Sequence, residues 1–190
     1  MKTSIYQGEY TYVPHFLSEM ERNEFYHDLT LNIPWKQESL QLYGREIQFP
    51  RLTSFHGDHD CTYTYSKQKR YPEPWTETLQ HIKNKIELLT PYSFNCVLLN
   101  MYRNGSDSMS WHSDNEPELG INPVIASVNL GAARTLQLKH KTTKERINLL
   151  MENGSLLIME GVMQHHWQHQ IPKTKKPIGA RINLTFRKII

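Results

Sequence analysis

The stretch that decides the fold reads Ala-Arg-Ile-Asn-Leu-Thr-Phe-Arg-Lys and covers residues 180–188. Polar and apolar residues alternate along it, which predicts a β-strand, because successive side chains of a strand point to opposite faces. One face carries Arg181, Asn183, Thr185 and Arg187. Half-buried strands commonly turn such a face to solvent. A second interpretation is that the face lines the inside of a barrel, where guanidiniums need an anionic ligand as partner.

The segments before this strand repeat the β pattern. Short runs rich in β-branched and aromatic residues, separated by turns that contain glycine, predict strands at 94–102, 125–130, 135–140, 146–151 and 155–159. Many short strands at nearly regular spacing favour a barrel or a double-sheet jelly roll.

The N-terminal half predicts helices and hairpins instead. Ser18 and Glu21 have the spacing of a capping box, which predicts a helix over residues 19–31. Apolar residues at steps of three and four predict a second helix that Pro91 ends. We therefore expect one mainly β domain of the α+β class, in which residues 1–93 cover a β core formed by residues 94–190.

Length, charge and cysteine content set further limits. A chain of 190 residues is the size of one domain, and a formal net charge of +3 is too small to indicate a nucleic-acid partner by itself. Cys61 and Cys96 cannot form a disulfide framework, so we expect an intracellular protein, cytoplasmic in a prokaryote and nuclear in a eukaryote. No apolar stretch approaches the ~20 residues that span a bilayer, so we expect no membrane partner. We also expect the chain to be a monomer.

The triplet His112-Ser113-Asp114 offers two metal ligands. Side chains two positions apart on an extended segment point to the same side, so this imidazole and this carboxylate can reach one ion. A histidine from a distant strand would complete a set of two histidines and one carboxylate, which suits non-haem Fe(II) and leaves coordination positions open. His169 is the preferred third ligand, with His165 and His166 as alternatives in the same run.

At each group of candidate metal ligands, a purely structural role is an alternative to metal binding. A histidine two residues before an aspartate is more often a hydrogen-bonded structural pair than a metal site. A second group of histidines, aspartates and a cysteine lies over residues 56–61, but no further ligand group accompanies it, and structural zinc needs four ligands. We interpret residues 56–61 as a polar loop.

The strand 180–188 favours the iron interpretation. An iron ion with open positions, and an arginine twelve residues after His169, together call for a dicarboxylate. 2-Oxoglutarate fits, because its keto acid end can chelate the metal while Arg181 forms a bidentate pair with the far carboxylate. Asn100 and Tyr102 lie two apart on a predicted strand and can present polar groups to the same ligand, although they could equally be a strand end beside a turn.

Several motifs together carry a family resemblance. They are Asn100-Met101-Tyr102, His112-Ser113-Asp114, His169 with Ile171 and Pro172, the run from Arg181 to Arg187, and, upstream, Pro50-Arg51-Leu52 and Tyr63-Thr64-Tyr65. They resemble the AlkB family of Fe(II)- and 2-oxoglutarate-dependent nucleic-acid dealkylases, nearest its animal DNA-repair branch. The resemblance implies a double-stranded β-helix (jelly-roll) core, N-terminal helices and a base-recognition lid. It also implies Fe(II), 2-oxoglutarate and dioxygen as cofactors.

The resemblance assigns a role to individual residues. It implies that the catalytic iron is held by His112, Asp114 and His169. It implies that 2-oxoglutarate is surrounded by Asn100, Tyr102, Arg181, Asn183, Thr185 and Arg187. Arg181 and Arg187 are six residues apart, ~20 Å along a straight strand, so Arg181 is the preferred partner of the far carboxylate. The implied substrate contacts are Tyr43 as a wedge, Arg51 at a phosphate or the base pocket, Tyr63, Tyr65 and Glu116.

The implied reaction is oxidative demethylation of N-alkylated bases, such as 1-methyladenine and 3-methylcytosine, in alkylated DNA, with RNA as an open alternative. Decarboxylation of 2-oxoglutarate is coupled to hydroxylation of the methyl group, which leaves as formaldehyde. The base must first leave the stack to reach the metal. The alternative enzyme is a 2-oxoglutarate-dependent hydroxylase of a protein or small molecule. A non-catalytic binding module would require a missing ligand or arginine, and none is missing.

Overall fold

The computed structural model describes residues 2–42, 44–65 and 68–190, and describes the backbone alone for residues 40, 42, 63–65 and 68–70. The helices of this part of the chain are α1 (Glu19–Asn32), α2 (Glu77–Leu89) and α3 (Met163–His166). Its strands are β1 (Lys2–Ile5), β2 (Gly8–Val13), β3 (Ser39–Leu42), β4 (Arg45–Gln48), β5 (Leu52–Gly57), β6 (Tyr63–Tyr65), β7 (Gln68–Arg70), β8 (Cys96–Tyr102), β9 (Met109–His112), β10 (Ile125–Gly131), β11 (Arg134–His140), β12 (Arg146–Met151), β13 (Leu156–Glu160), β14 (Trp167–Ile171) and β15 (Arg181–Arg187). Each of the described helices is too short or too polar to cross a membrane.

Two antiparallel sheets form the body of the molecule. The larger sheet has seven strands in the order β1-β2-β13-β10-β15-β8-β5, and the smaller sheet has four in the order β12-β11-β14-β9. Strands that are distant in sequence lie side by side, as β15 does between β10 and β8. Two hairpins, β3–β4 and β6–β7, stand apart from these sheets. The predicted mainly β, jelly-roll class is confirmed.

Helices α1 and α2 pack on one face of the larger sheet. The predicted capping box opens α1: the backbone N–H of Glu21 donates to Ser18 Oγ at 3.3 Å, and Glu21 Oε2 accepts from the backbone N–H of Ser18 at 2.7 Å. The buried side chains Leu29 of α1 and Ile82 of α2 belong to the same apolar cluster as Phe186 of β15. The apolar face of β15 is therefore held against the helices, and its polar face turns to the other side of the sheet.

The N-terminal half contributes more β structure than its local pattern predicts. Strands β1 and β2 form a hairpin at one edge of the larger sheet, and β5 forms the opposite edge. The hairpin pairs with β13, which comes more than a hundred residues later, so a long-range contact stabilises it rather than a strong local signal. The strand prediction also omits β9 and β14, the two strands that carry His112 and His169.

Candidate active site

The polar face of β15 is buried. Arg181 is 2% exposed, and the other three polar residues of this face are 7–8% exposed. Across the neighbouring strand β8, Tyr102 lies opposite Arg181 and Asn100 lies opposite Asn183. The solvated-face interpretation of this strand is therefore wrong. Because β15 is central in the larger sheet and packs against helices on its other side, its polar residues face the space between the two sheets.

One cavity between the sheets collects all the residues that were predicted to hold metal and 2-oxoglutarate. They are His112, Asp114, His169, Asn100, Tyr102, Arg181, Asn183, Thr185 and Arg187. The rest of the wall includes apolar side chains such as Leu98, Leu136 and Met159. A concave site with apolar walls and a few convergent polar groups is typical of a small-molecule pocket.

His112, Asp114 and His169 meet in this cavity. Each offers one ligand atom, and the three atoms lie within 4.8 Å of one another. Among the residues that the structure describes, no other group of three or more histidine, cysteine or acidic side chains has this arrangement. Two imidazoles and one carboxylate are a ligand set suited to Fe(II).

The alternative ligands lie elsewhere. His165 Nε2 contacts the amide oxygen of Asn122 at 2.9 Å, and His166 stacks on His140 with their ring centroids 6.1 Å apart. The residues of segment 56–61 are not brought together as a ligand set.

A β-bulge sets the orientation of His112. Strand β9 pairs with β14 at His112–His169 and at Met109–Ile171, so β9 has one extra residue between the two pairs. The carbonyl oxygen of Ser110, inside the bulge, lies 2.8 Å from Nδ1 of His112. Nδ1 is therefore the ring nitrogen that carries the proton and donates, which leaves the lone pair of Nε2 for a metal ion.

Three hydrogen bonds hold Asp114 and the residue before it. Arg187 Nη2 donates to Asp114 Oδ1 at 3.0 Å, and the backbone N–H of Asp114 donates to Gln164 Oε1 at 3.0 Å. Ser113, the residue before Asp114, is also held in place, because its Oγ donates to the carbonyl of Trp167 at 2.8 Å. Within the described residues, Asp114 Oδ2 is buried and accepts no hydrogen bond. This oxygen is the one left for a metal ion.

The protonation states of the ligands suit metal binding. Burial, and then the charge of His112, lower the pKa of His169 to about 3, so its imidazole is neutral at physiological pH. Burial would raise the pKa of Asp114, but the charge of Arg187, and the charges of the two histidines in the acid range where they are protonated, lower it to about 2. Metal ligands must be deprotonated, and both groups meet this condition.

The hydrogen-bond donors of Arg181 indicate whether the cavity fits a dicarboxylate. Its Nη2 donates to Asn129 Oδ1, and its guanidinium carbon lies 5.0 Å from the ring centroid of Tyr102. Its Nε and Nη1 are buried and find no hydrogen-bond partner among the described residues. Burial lowers the pKa of Arg181 to about 10, so it stays charged at neutral pH. Two free donors on a buried guanidinium match a carboxylate, and the residues present therefore fit 2-oxoglutarate.

Two further residues of the site lie outside the sequence-based prediction. Asn129 accepts from Arg181 and lies 3.4 Å from the amide nitrogen of Asn183. Its position on the polar side of a predicted strand is a signal that could have found it. Gln164 is 1% exposed in the short helix α3 and binds the backbone of Asp114. No sequence pattern marks it.

A second cavity lies against two of the three predicted metal ligands, His112 and Asp114. It shares Leu98, Met109, His112, Asp114 and Arg187 with the first cavity. Two predicted substrate contacts, Arg51 and Glu116, line it. Arg51 is 4% exposed, and its Nε donates to Asn100 Oδ1 at 2.7 Å. Of its two predicted positions, at a phosphate or at a base pocket, the burial favours the pocket.

The remaining predicted substrate contacts are only partly described. Tyr43 lies outside the described residues. Tyr63 and Tyr65 lie on strand β6, which pairs with β7, and their side chains are outside the described part of the structure. The roles of these three tyrosines stay predictions.

Comparisons with known proteins decide the family. The profile of the 2OG-Fe(II) oxygenase superfamily matches residues 9–187. The chain belongs to this superfamily. Human alpha-ketoglutarate-dependent dioxygenase alkB homolog 3 is 40% identical over 186 residues, which cover 93% of this chain and 64% of that protein. Human DNA oxidative demethylase ALKBH2 is 34% identical over 181 residues, which cover 90% of this chain and 69% of the relative.

These relatives confirm the predicted AlkB family, and family membership assigns Fe(II) and 2-oxoglutarate to the chain. The chain spans slightly less than two thirds of the length of alkB homolog 3. Among solved structures, that of OsALKBH1 superposes with a TM-score of 0.68 and covers 99% of this chain and 100% of its own. At 16% identity, this likeness supports the fold alone.

Proposed function

We propose that the chain is an oxidative demethylase of N-alkylated bases in DNA that uses Fe(II), 2-oxoglutarate and dioxygen. One observation carries the proposal: the first cavity contains all three predicted metal ligands, and the second cavity shares two of them, His112 and Asp114. The first cavity suits a dicarboxylate, and the second provides room for another molecule beside the same ligands. The name of a curated relative, DNA oxidative demethylase ALKBH2, supports a base in DNA as that second molecule.

In this proposal, His112, Asp114 and His169 hold Fe(II), and Arg187 orients Asp114 through its 3.0 Å hydrogen bond. When bound, Fe(II) and 2-oxoglutarate would supply the oxidation with dioxygen as the oxidant: one oxygen atom enters succinate as 2-oxoglutarate loses carbon dioxide, and the other hydroxylates a methyl group of the base, which then leaves as formaldehyde. The protein provides orientation and a site that excludes bulk water.

Arg181 is proposed to bind the carboxylate of 2-oxoglutarate that is remote from the metal. Its two unpartnered donors support this role, as does its separation from Arg187, which contacts Asp114. The other residues proposed to surround the co-substrate are Asn100, Tyr102, Asn183, Thr185 and Arg187. Two of them contact each other directly, since Thr185 Oγ1 donates to Asn183 Oδ1 at 3.2 Å.

The second cavity is proposed to receive the alkylated base after it has left the stack. Glu116 would contact an exocyclic amine, and Arg51 would stand at the pocket wall. Tyr43, Tyr63 and Tyr65 keep their predicted roles in gripping the base and filling its gap. Exposed lysines at 173, 175 and 176 are proposed to contact phosphates.

An assay of the purified protein tests the function. Aerobic incubation with Fe(II), ascorbate, 2-oxoglutarate and an oligonucleotide that carries 1-methyladenine or 3-methylcytosine is expected to restore the base and release formaldehyde. Mass spectrometry of the oligonucleotide gives the readout, and His112→Ala is the inactive control. Equal turnover of 2-oxoglutarate with methylated and unmethylated oligonucleotides, and no loss of the methyl group, would favour the hydroxylase of a protein or small molecule instead.

The proposal also concerns the domain organisation, oligomeric state and location of the enzyme. We infer that residues 1–190 act as one dioxygenase domain, as a monomer, inside the cell. Light scattering is expected to give the mass of one chain. A panel of single-stranded DNA, duplex DNA and RNA, each with the same lesion, then measures which nucleic acid the enzyme prefers.

A further inference from the structure

One hydrogen bond connects the two cavities. Arg51 lines the second cavity, and its Nε donates to Oδ1 of Asn100 at 2.7 Å. Asn100 belongs to the wall of the first cavity. The two residues are 4% and 5% exposed, so bulk water does not compete for this contact. A side chain of the second cavity is therefore joined directly to a side chain of the first.

The hydrogen bond from Arg51 fixes the orientation of the Asn100 amide. An arginine side chain can only donate, so the amide atom that faces its Nε is the oxygen. The amide nitrogen of Asn100 then points away from Arg51, and it makes no hydrogen bond to another residue in the described part of the chain. Its N–H groups are left for a carboxylate of 2-oxoglutarate in the first cavity. Without Arg51 the amide could turn over and present its oxygen, which repels a carboxylate.

Part of the Arg51 guanidinium is left for a molecule in the second cavity. The guanidinium carbon lies 4.9 Å from the ring centroid of Phe49, and its Nε is used by Asn100. Within the described residues, neither Nη atom of Arg51 donates a hydrogen bond. A molecule that accepts from these atoms would restrict the guanidinium and, through Nε, the amide of Asn100.

A second polar group of this cavity lies beside Asn100. Thr53 of strand β5 pairs with Asn100 of β8 in the larger sheet, and Thr53 lines the second cavity. Its side chain is 2% exposed, and its Oγ1 has no hydrogen-bond partner among the residues that the structure describes. Buried polar atoms normally have a partner, so this hydroxyl independently indicates that a polar molecule binds at the junction of the two cavities.

We propose that Arg51 is a positioning residue that couples the binding of substrate in the second cavity to the binding of 2-oxoglutarate in the first. This inference rests on the proposed function and adds cooperation between its two ligands. Substrate that contacts the Nη atoms of Arg51 holds the Asn100 amide with its N–H groups towards the co-substrate. The ligand that binds second then meets side chains that the first has already ordered. Such coupling is reciprocal, so 2-oxoglutarate strengthens substrate binding by the same factor.

Binding without turnover measures the coupling. Fluorescence anisotropy gives the Kd of an oligonucleotide with 1-methyladenine for the Mn(II)-loaded protein, with and without N-oxalylglycine in place of 2-oxoglutarate. We expect N-oxalylglycine to lower this Kd about tenfold in the wild type and less than about twofold in Arg51→Met. Calorimetric titration of N-oxalylglycine, with and without the oligonucleotide, is expected to give the same factors. An unmethylated oligonucleotide of the same sequence should show no coupling in either protein, because its bases stay out of the second cavity.

Three further variants assign the effect to the contact between Arg51 and Asn100. Arg51→Lys keeps the charge but lacks the planar group that reaches both cavities, so the coupling should be lost in it as well. Asn100→Ala should weaken the binding of N-oxalylglycine and lose the coupling, and adding Arg51→Met to it should change the coupling no further. Arg22→Met, in helix α1 and outside both cavities, is the matched control and should keep the wild-type factor.

The outcomes distinguish this inference from the function beneath it. If the wild type binds both oligonucleotides equally and restores no methylated base, the proposed function fails, and this inference fails with it. If the wild type restores the base but shows no coupling, the function stands and the role of Arg51 is overturned. The same holds if Arg51→Met and Arg51→Lys bind each ligand more weakly but keep the wild-type factor. Thermal unfolding identifies a variant that does not fold; if Arg51→Met does not, Arg51→Lys decides.

Discussion

Gln164 contacts the backbone of Asp114, one of the proposed metal ligands. Its amide oxygen accepts from the N–H of Asp114 at 3.0 Å, and its amide nitrogen lies 3.7 Å from the sulfur of Met159. The side chain is 1% exposed, so solvent cannot replace either contact. Partners of this kind, one shell away from a metal, hold the ligand in the orientation that binds the ion.

Replacing Gln164 with leucine is expected to weaken metal binding about tenfold or more, because the buried N–H of Asp114 loses its acceptor and the carboxylate loses its alignment. Titration with Mn(II), followed by electron paramagnetic resonance, measures the affinity without turnover. Gln168→Leu, on the next strand and half-buried, is the control and should leave the affinity unchanged. An unchanged affinity in Gln164→Leu would show that Arg187 alone orients the carboxylate.

At the residue scale, the sequence predicts groups whose chemistry and spacing are both distinctive. The meeting of His112, Asp114 and His169 could be anticipated because two histidines and an aspartate are a recognised ligand set. The roles of Asn129 and Gln164 could not be anticipated, because an amide side chain indicates no particular kind of site until the fold places it beside a partner. The position of a residue along a strand predicts to which face its side chain points. Only the tertiary structure determines which residue that side chain contacts.

At the scale of elements, Glu21 joins α1 to α2. Its side chain completes the capping box of α1 and contacts Lys85 Nζ of α2 at 2.6 Å. The ammonium of Lys85 foremost, and then the backbone N–H of Ser18, lower the pKa of Glu21 to about 2, although burial opposes this. A carboxyl group whose pKa is lower in the folded chain stabilises the fold above its ordinary value of 4.5, and this contribution is lost as the pH falls from 4.5 towards 2.

Glu21→Gln is therefore expected to reduce the free energy of unfolding by about 0.5–1 kcal/mol at pH 7, since glutamine keeps the cap but not the ion pair. The difference from wild type should shrink as the pH falls from 4.5 towards 2, where the wild-type carboxyl group is itself protonated. Urea unfolding at a series of pH values measures it. Glu24→Gln, on the exposed side of α1, should show no comparable difference. A difference that is independent of pH would assign the effect to the cap.

Elements are predictable where a local signal determines them. The capping box predicts where α1 begins, and alternation predicts β15 to within one residue at each end. The edge hairpin β1–β2 and the short strands β9 and β14 have weaker local patterns. Their partners, β13 for the hairpin and β11 for β14, are far away in sequence, so pairing rather than propensity decides them.

At the scale of the whole molecule, the proposed site draws on both sheets. The larger sheet supplies the proposed co-substrate contacts on β8 and β15, and the smaller sheet supplies His112 and His169 on β9 and β14. A metal ion and a co-substrate bound together would therefore link the two sheets across the cavity. Ligands that bind only the folded state stabilise it by mass action.

We expect Mn(II) and N-oxalylglycine together to raise the unfolding temperature by more than the sum of their separate effects. At a hundredfold excess over Kd, one ligand contributes about 2.7 kcal/mol. Differential scanning fluorimetry measures the shifts, and a chelator should reverse them. In His169→Ala the joint effect should fall to that of N-oxalylglycine alone. Simple addition of the two shifts in the wild type would mean that the two sites are independent.

Because of Arg181, we expect the stability of the folded chain to depend on the concentration of 2-oxoglutarate. A buried guanidinium with two unpartnered donors is costly, because its desolvation is not fully compensated, and an apolar side chain of similar volume avoids this cost. Arg181→Met should therefore resist proteolysis better than wild type when no 2-oxoglutarate is added, and gain nothing when it is added. Wild type should instead be cleaved more slowly as 2-oxoglutarate increases. The abundance of the wild-type protein in a cell would then follow the carbon metabolism that produces its co-substrate.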